Sequence, residues 1–225
     1  MPPNTLFQKE EILTAALKLV REKGEKALTA RALAAELGCS VKPIFGLFRN
    51  MEEVRTGVIR ETEEVYESFV REEMESGKYP LYKSTGMAYI RFAREEKELF
   101  CLLFMRNRRG EKIEVKIDDR ILDLVCKATG LEKDAAYLFH LETWVYVHGI
   151  ASMLATGYLE WDDDFVSNSL SDCFLGLKEQ LKRKEQEKRD EKITNRSIGS
   201  GVIGIFVYTV GICERQCRDE DIEKE

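Results

Sequence analysis

Two kinds of side chain in this sequence could do chemistry: cations that attract phosphate, and a few groups able to hold a metal or move a proton. The cations gather at one end. Residues 1–60 hold ten Lys and Arg against seven Asp and Glu, a local charge of +3 in a chain whose net charge is −6. The other 165 residues therefore carry −9. A mildly basic end on an acidic body suits phosphate attraction at that end, and it excludes a uniformly basic nucleic-acid coat. The second kind is sparse. His140, Trp144 and His148 recur every four residues on one helix face. They read either as a metal or ligand site or as a packed face with hydrogen-bonded imidazoles. The second is favoured, because no third ligand type converges in sequence. No metal and no cofactor are expected. The cysteines Cys39, Cys101, Cys126, Cys173, Cys213 and Cys217 are scattered and read as free thiols of a reducing compartment.

Catalysis finds little material. No Ser-His-Asp arrangement stands out, and two histidines supply little acid–base capacity. Gly199-Ser200-Gly201-Val202-Ile203-Gly204 matches GxGxxG. A charged stretch precedes it, where a dinucleotide loop needs a strand, so the match is set aside.

The elements that must position the basic residues are helical. Ile12, Ala16, Leu19 and Val20 share one face of a first helix, Phe7 to Lys23, stopped by Gly24. Thr29 is the expected N-cap of a short helix, Ala30 to Leu37, which Gly38 ends. Ser40 is the expected cap of a third helix, Val41 to Leu47. That makes Pro43 its third residue, where a missing N–H costs nothing. Two short helices across a tight glycine turn form a helix-turn-helix, whose second helix suits the major groove. Asn50 and Glu53 open a long helix to Glu75. Further helices are expected at Leu81–Glu96, Lys97–Arg106, Asp118–Thr129 and Glu132–Thr156, with a last one after Asp162. The last carries the stripe Val166, Leu170, Cys173, Leu177 and Leu181. Arg106 to Gly110 reads as a basic loop. No segment before residue 197 alternates with period two, so the class is all-α. Ser197 to Cys213 carries no charge and reads as a β-prone or disordered tail, a membrane anchor being the lesser alternative. Met1 to Glu11 lacks the apolar core of a signal peptide, so a cytoplasmic protein is expected.

The order and spacing of these residues resemble a known family. Ile12-x3-Ala16-Leu17-x-Leu19, Glu22-Lys23-Gly24, Leu28-Thr29-x-Arg31-x-Leu33-Ala34 and Leu37-Gly38-Cys39-Ser40 are similar to the N-terminal domain of TetR-family transcriptional regulators. So are Pro43-Ile44-Phe45-x2-Phe48 and Asn50-x-Glu52-Glu53, and Trp144-x3-His148-Gly149 resembles a WHG-type C-terminal domain. The resemblance implies an N-terminal three-helix DNA-binding domain over residues 7–60. It implies a helical-bundle domain for ligand binding and dimerisation over 61–190, leaving 191–225 as a tail. It also implies phosphate contacts from Thr29, Ser40 and Phe45, base-edge contacts near Lys42 and Pro43, and Arg31 near the backbone or groove. Val41 and Arg49 complete the DNA-binding set. Three positions depart from the family: Phe45 where Tyr is common, Leu47 where His is common, and Met51 where Lys is common. They remove polar phosphate contacts, for which Arg49 and Arg55 could compensate.

The resemblance further implies a ligand-responsive repressor that binds a pseudo-palindromic double-stranded operator as a homodimer. Small residues Gly149, Ala151, Ser152 and Ala155 on a long apolar helix give an independent reason for close pairing through the last two long helices. Tyr89, Phe92, Phe100, Phe104, Trp144 and His148 are the candidate lining of a pocket for a small, hydrophobic effector. The helix from Met51 to Glu75 would carry its signal. No membrane partner is expected. A helical adaptor that has lost DNA binding is the alternative, motivated by Phe45, Leu47 and Met51.

Overall fold

In a computed structural model of the chain, residues 7–107 and 117–199 are described. They form two compact units, one through Arg183 and one from Lys184. All regular elements among them are helical.

Helix α1 (Lys9–Lys23) starts where the Gln8 backbone N–H donates to Glu11 Oε2 at 2.7 Å, and it buries Ile12, Leu13, Ala16, Leu19 and Val20. Gly24 stops it at φ +77°, and a Cβ there would meet the Glu98 carboxylate. The positive φ therefore favours glycine, while the exposed end of Glu98 could move aside. Helix α2 (Ala30–Glu36) is capped as expected, Thr29 Oγ1 accepting from Ala32 N at 3.2 Å. Gly38, at φ +64°, turns the chain into α3 (Lys42–Leu47). Ser40 does not cap α3. Val41 holds the N-cap position in a helical conformation and makes no side-chain cap bond, so Pro43 is the second helical residue, not the third. The reason is local: the glycine turn delivers Val41 already wound, and its carbonyl accepts from Phe45 N at 3.3 Å.

Helix α4 (Met51–Glu75) opens on Asn50 Oδ1, which accepts from Glu53 N at 2.9 Å. Val54, Val58 and Thr62 are buried, and the Thr62 hydroxyl is satisfied by the Val58 carbonyl at 2.7 Å. Helix α5 (Leu81–Glu95) is the central element, burying Tyr82, Met87, Tyr89, Ile90 and Phe92 among others. The helix expected over Lys97–Arg106 divides into α6 (Lys97–Phe100) and a π-helical turn, Cys101–Met105. Such one-turn widenings re-aim the side chains they carry. The basic loop expected after Arg106 falls mainly outside the described residues.

Asp118 caps α7 (Asp119–Thr129), and Gly130 ends it in the left-handed conformation. Helix α8 is Lys133–Ala155, and α9 is Asp163–Gly199. Val166, Leu170 and Leu181 of the α9 stripe are buried, with Cys173 and Leu177 half-buried. The helix runs through residues 191–199, the first part of the expected tail, and past Ser197, where the uncharged segment begins. The rest of the uncharged segment, with Cys213 and Cys217, lies outside the described residues.

One apolar core joins α1–α6 with parts of α8 and α9, and a second gathers Tyr82, Val125, Leu131, Ala136, Phe139 and Leu181. Each large side chain so buried contributes about 1.5–3 kcal/mol. Polar ties fasten the same elements. Arg21 Nε donates to Glu96 Oε2 at 2.9 Å, and Lys83 Nζ donates to Ser167 and Ser171 hydroxyls at 2.7 and 2.8 Å.

Candidate nucleic-acid interface

Helix α3 is short, so its position depends on two anchors. Ile44 and Phe48, one turn apart, are buried in the core of the head. That phase turns the rest of the segment outward: Val41, Lys42, Phe45, Gly46 and Arg49 are exposed, and Pro43 is half-exposed. Thr29, Arg31 and Ser40 are exposed as well.

The chemistry of this surface is specific. Lys42 and Arg31 make no ion pair or hydrogen bond among the described residues, so both charges stay available. Some other cations of residues 7–60 are engaged. Lys18 reaches Glu36 at 2.7 Å, and Arg55 binds Glu25 at 3.0 Å and Glu52 at 3.3 Å. Arg55 is thus paired with acids, as Arg49 is with Glu53. The Thr29 oxygen accepts the cap bond, leaving its own proton to donate. Phe45 is 44% exposed and offers a ring but no hydroxyl. Leu47 and Met51 pack against the core. Their side chains therefore help to seat α3 and α4.

Arg49 has its side chain 89% exposed while its Nε lies 3.2 Å from Glu53 Oε2. The same oxygen accepts from the Arg49 backbone N–H at 2.8 Å, and Glu53 Oε1 accepts from Lys9 Nζ at 3.3 Å. These donors hold the Glu53 carboxyl down at about 2, the Arg49 backbone bond first among them. In the sequence Glu53 reads as the partner of the Asn50 cap in an acidic first turn, not as a partner of Arg49. The i, i+4 spacing from Arg49 is the signal for more.

In the body, Tyr89, Phe92, Phe100 and Phe104 form one ring cluster with Tyr66, centroids 4.7–6.5 Å apart. Tyr66 joins these rings, and the π-helical turn carries Phe104 among them. His148 Nδ1 lies 2.8 Å from Tyr89 Oη, and His140 Nδ1 lies 3.0 Å from Tyr82 Oη. Burial pushes both imidazoles down and the Tyr82 hydroxyl up. Trp144 meets the candidate set through His148. It stacks on His148 with centroids 5.4 Å apart, yet it is 43% exposed on the outer face of α8. Among the described residues no three His, Cys, Asp or Glu side chains gather as a metal group. No described helix is long and apolar enough to cross a membrane.

A stub helix held outward by two apolar anchors, at one end of an all-helical body, defines a helix-turn-helix DNA-binding protein. Comparison with known families agrees. Residues 12–56 match the bacterial regulatory proteins of the tetR family, and residues 83–171 match the tetracyclin repressor-like C-terminal domain. Together the two matches take in more than half of the chain, and the protein belongs to the TetR family of DNA-binding transcriptional regulators. Among solved structures it is similar to a member of the TetR family from Streptomyces coelicolor A3, at 15% identity and a TM-score of 0.52. That match covers 76% of this chain and 98% of the other. It is also similar to a TetR family protein from Vibrio parahaemolyticus, at 18% identity and a TM-score of 0.52, over 75% of this chain and 97% of that one. At these identities the likeness concerns the fold. No curated protein matches the sequence.

Proposed function

We propose that the protein is a repressor that binds a pseudo-palindromic operator as a homodimer and releases it on binding an apolar effector. Residues 7–60 are the DNA-binding domain, and residues 61–190 are the effector-binding and dimerisation domain. Such a protein works in the cytoplasm, where DNA is reached. The observation that carries the reading is the outward face of α3, with Lys42 unpaired and exposed beside Phe45. Lys42 and Pro43 meet base edges, with Val41 beside them. Thr29, Arg31, Ser40, Phe45 and Arg49 lie along phosphates.

Pairing is supported by exposed apolar side chains on the last two long helices. Tyr137, Trp144, Val145 and Met153 of α8, with Phe165 and Leu175 of α9, are all in water in the single chain. A surface of that kind marks an interaction face. Two-fold pairing presents two α3 helices to successive major grooves. Effector recognition falls to the ring cluster around Phe104. It acts by binding one arrangement of α4 and α6 better than another, since only differential affinity shifts an equilibrium.

Binding of DNA from upstream of the protein's own gene, followed by gel shift across a salt series, tests the reading. Retardation that weakens steeply with salt is expected. No retardation at any ionic strength would favour the adaptor reading.

A further inference from the structure

We propose that Glu53 is a positioning residue for DNA binding, its carboxylate holding the Arg49 guanidinium as a fixed fork toward phosphate. The proposal rests on the DNA-contacting reading of Arg49 and adds what orients that side chain.

Three elements meet at this one carboxylate. Glu53 sits in the first turn of α4, its own N–H capped by Asn50 at 2.9 Å. Its Oε2 takes the backbone N–H and the Nε of Arg49, at the exit of α3. Its Oε1 takes the ammonium of Lys9, in the first turn of α1, and that ammonium also lies over the Phe48 ring at 5.1 Å. Phe48 is one of the two anchors of α3. The carboxylate therefore fixes the backbone leaving α3 and the side chain that follows it.

Arginine chemistry explains the benefit. A free exposed arginine loses rotamer entropy when it grips phosphate. With Nε already held, the four terminal N–H groups remain to donate, and their outer edge is a planar pair. That pair matches two phosphate oxygens. The arrangement has an electrostatic cost, because Glu53 is a negative charge placed near DNA. The two effects have opposite signs, which makes the role measurable. If charge alone mattered, neutralising Glu53 would tighten DNA binding. If positioning dominates, neutralising it weakens binding.

The experiment measures affinity of the full chain for a fluorescent mixed-sequence duplex about three helical turns long, across a salt series. Wild type, Arg49→Ala, Glu53→Ala, Glu53→Gln and the Arg49→Ala/Glu53→Ala double variant are compared. Arg49→Ala is expected to weaken binding roughly tenfold at low salt, the scale of one charge-assisted hydrogen bond. It should also lower the slope of log affinity against log salt by about 0.9 for each phosphate no longer neutralised. Glu53→Ala should reproduce both changes, and the double variant should bind no more weakly than either single one. Glu53→Gln keeps the side-chain shape and an acceptor, so it tests the charge even if Glu53→Ala folds poorly. It too should weaken binding. A merely structural defect lowers the folded fraction and leaves the salt slope unmoved.

Glu53 variants that bind as tightly as wild type or tighter, or effects that add in the double variant, would overturn the proposal. So would Arg49→Ala with unchanged affinity and slope, which locates the failure in the phosphate grip assigned to Arg49. A wild-type protein that ignores DNA locates it in the function itself.

Discussion

At the scale of single residues, the head separates cations that build from cations that are free. Lys18 and Arg55 are spent on Glu36 and Glu25, whereas Lys42 and Arg31 are not. Phe45 is where this chain gives up a donor, since an exposed ring cannot hydrogen-bond phosphate. Phe45→Tyr therefore restores one, and it should tighten operator binding by about fivefold to tenfold in a fluorescence-anisotropy titration. The histidines make a second prediction. His140 and His148 are both pushed below 6.5 by burial. The unfolded chain then binds protons that the folded chain refuses, so stability rises with pH through this range. It is fully present above about 6.5 and is lost as pH falls toward the lower folded values. Thermal melts at pH 7.5 and 5.5 should show the lower midpoint at acid pH. His140→Gln, which cannot charge, should shrink that difference.

At the scale of elements, α3 exists as an ordered reader because Ile44 and Phe48 pin it. Ile44 has no solvent exposure, and Ile44→Ala should cost about 2–5 kcal/mol in a urea titration. DNA binding should fall further than folding does, because the helix loses its seat. This element also measures what a sequence can tell. The apolar spacing of Ile12, Ala16 and Leu19, the caps Thr29 and Asn50 and the stop at Gly24 are all legible, because each is a local signal. The true start of α3 is not. Ser40 looks like a cap, but the geometry of the Gly38 turn decides where winding begins. The π-helical turn at Cys101–Met105 is equally hidden, since no spacing in Cys-Leu-Leu-Phe-Met separates it from an α-helix. Tyr66 joins the ring cluster through packing between α4 and α5, which no local pattern encodes. Trp144 turns to water rather than inward for a related reason: on an almost wholly apolar helix, periodicity cannot say which face is exposed.

At the scale of the whole molecule, operator recognition needs two copies. The exposed apolar side chains of α8 and α9 are the surface assigned to pairing. Val145 is 64% exposed near the middle of α8. Val145→Asp puts a charge where the partner's apolar face would lie, at a desolvation cost that pairing cannot repay. Sedimentation velocity should find wild type as a dimer and this variant as a monomer with unchanged helicity. Operator affinity of the monomer should drop by orders of magnitude, because two half-sites are then bound separately.

The most direct measurement is the operator affinity of Lys42→Ala beside wild type, with helicity and dimerisation recorded on the same samples. The predicted result is a loss of about 1–3 kcal/mol, roughly tenfold or more, in a protein that is folded and paired as before. Undiminished affinity in that folded, paired variant would contradict the claim that the outer face of α3 reads DNA.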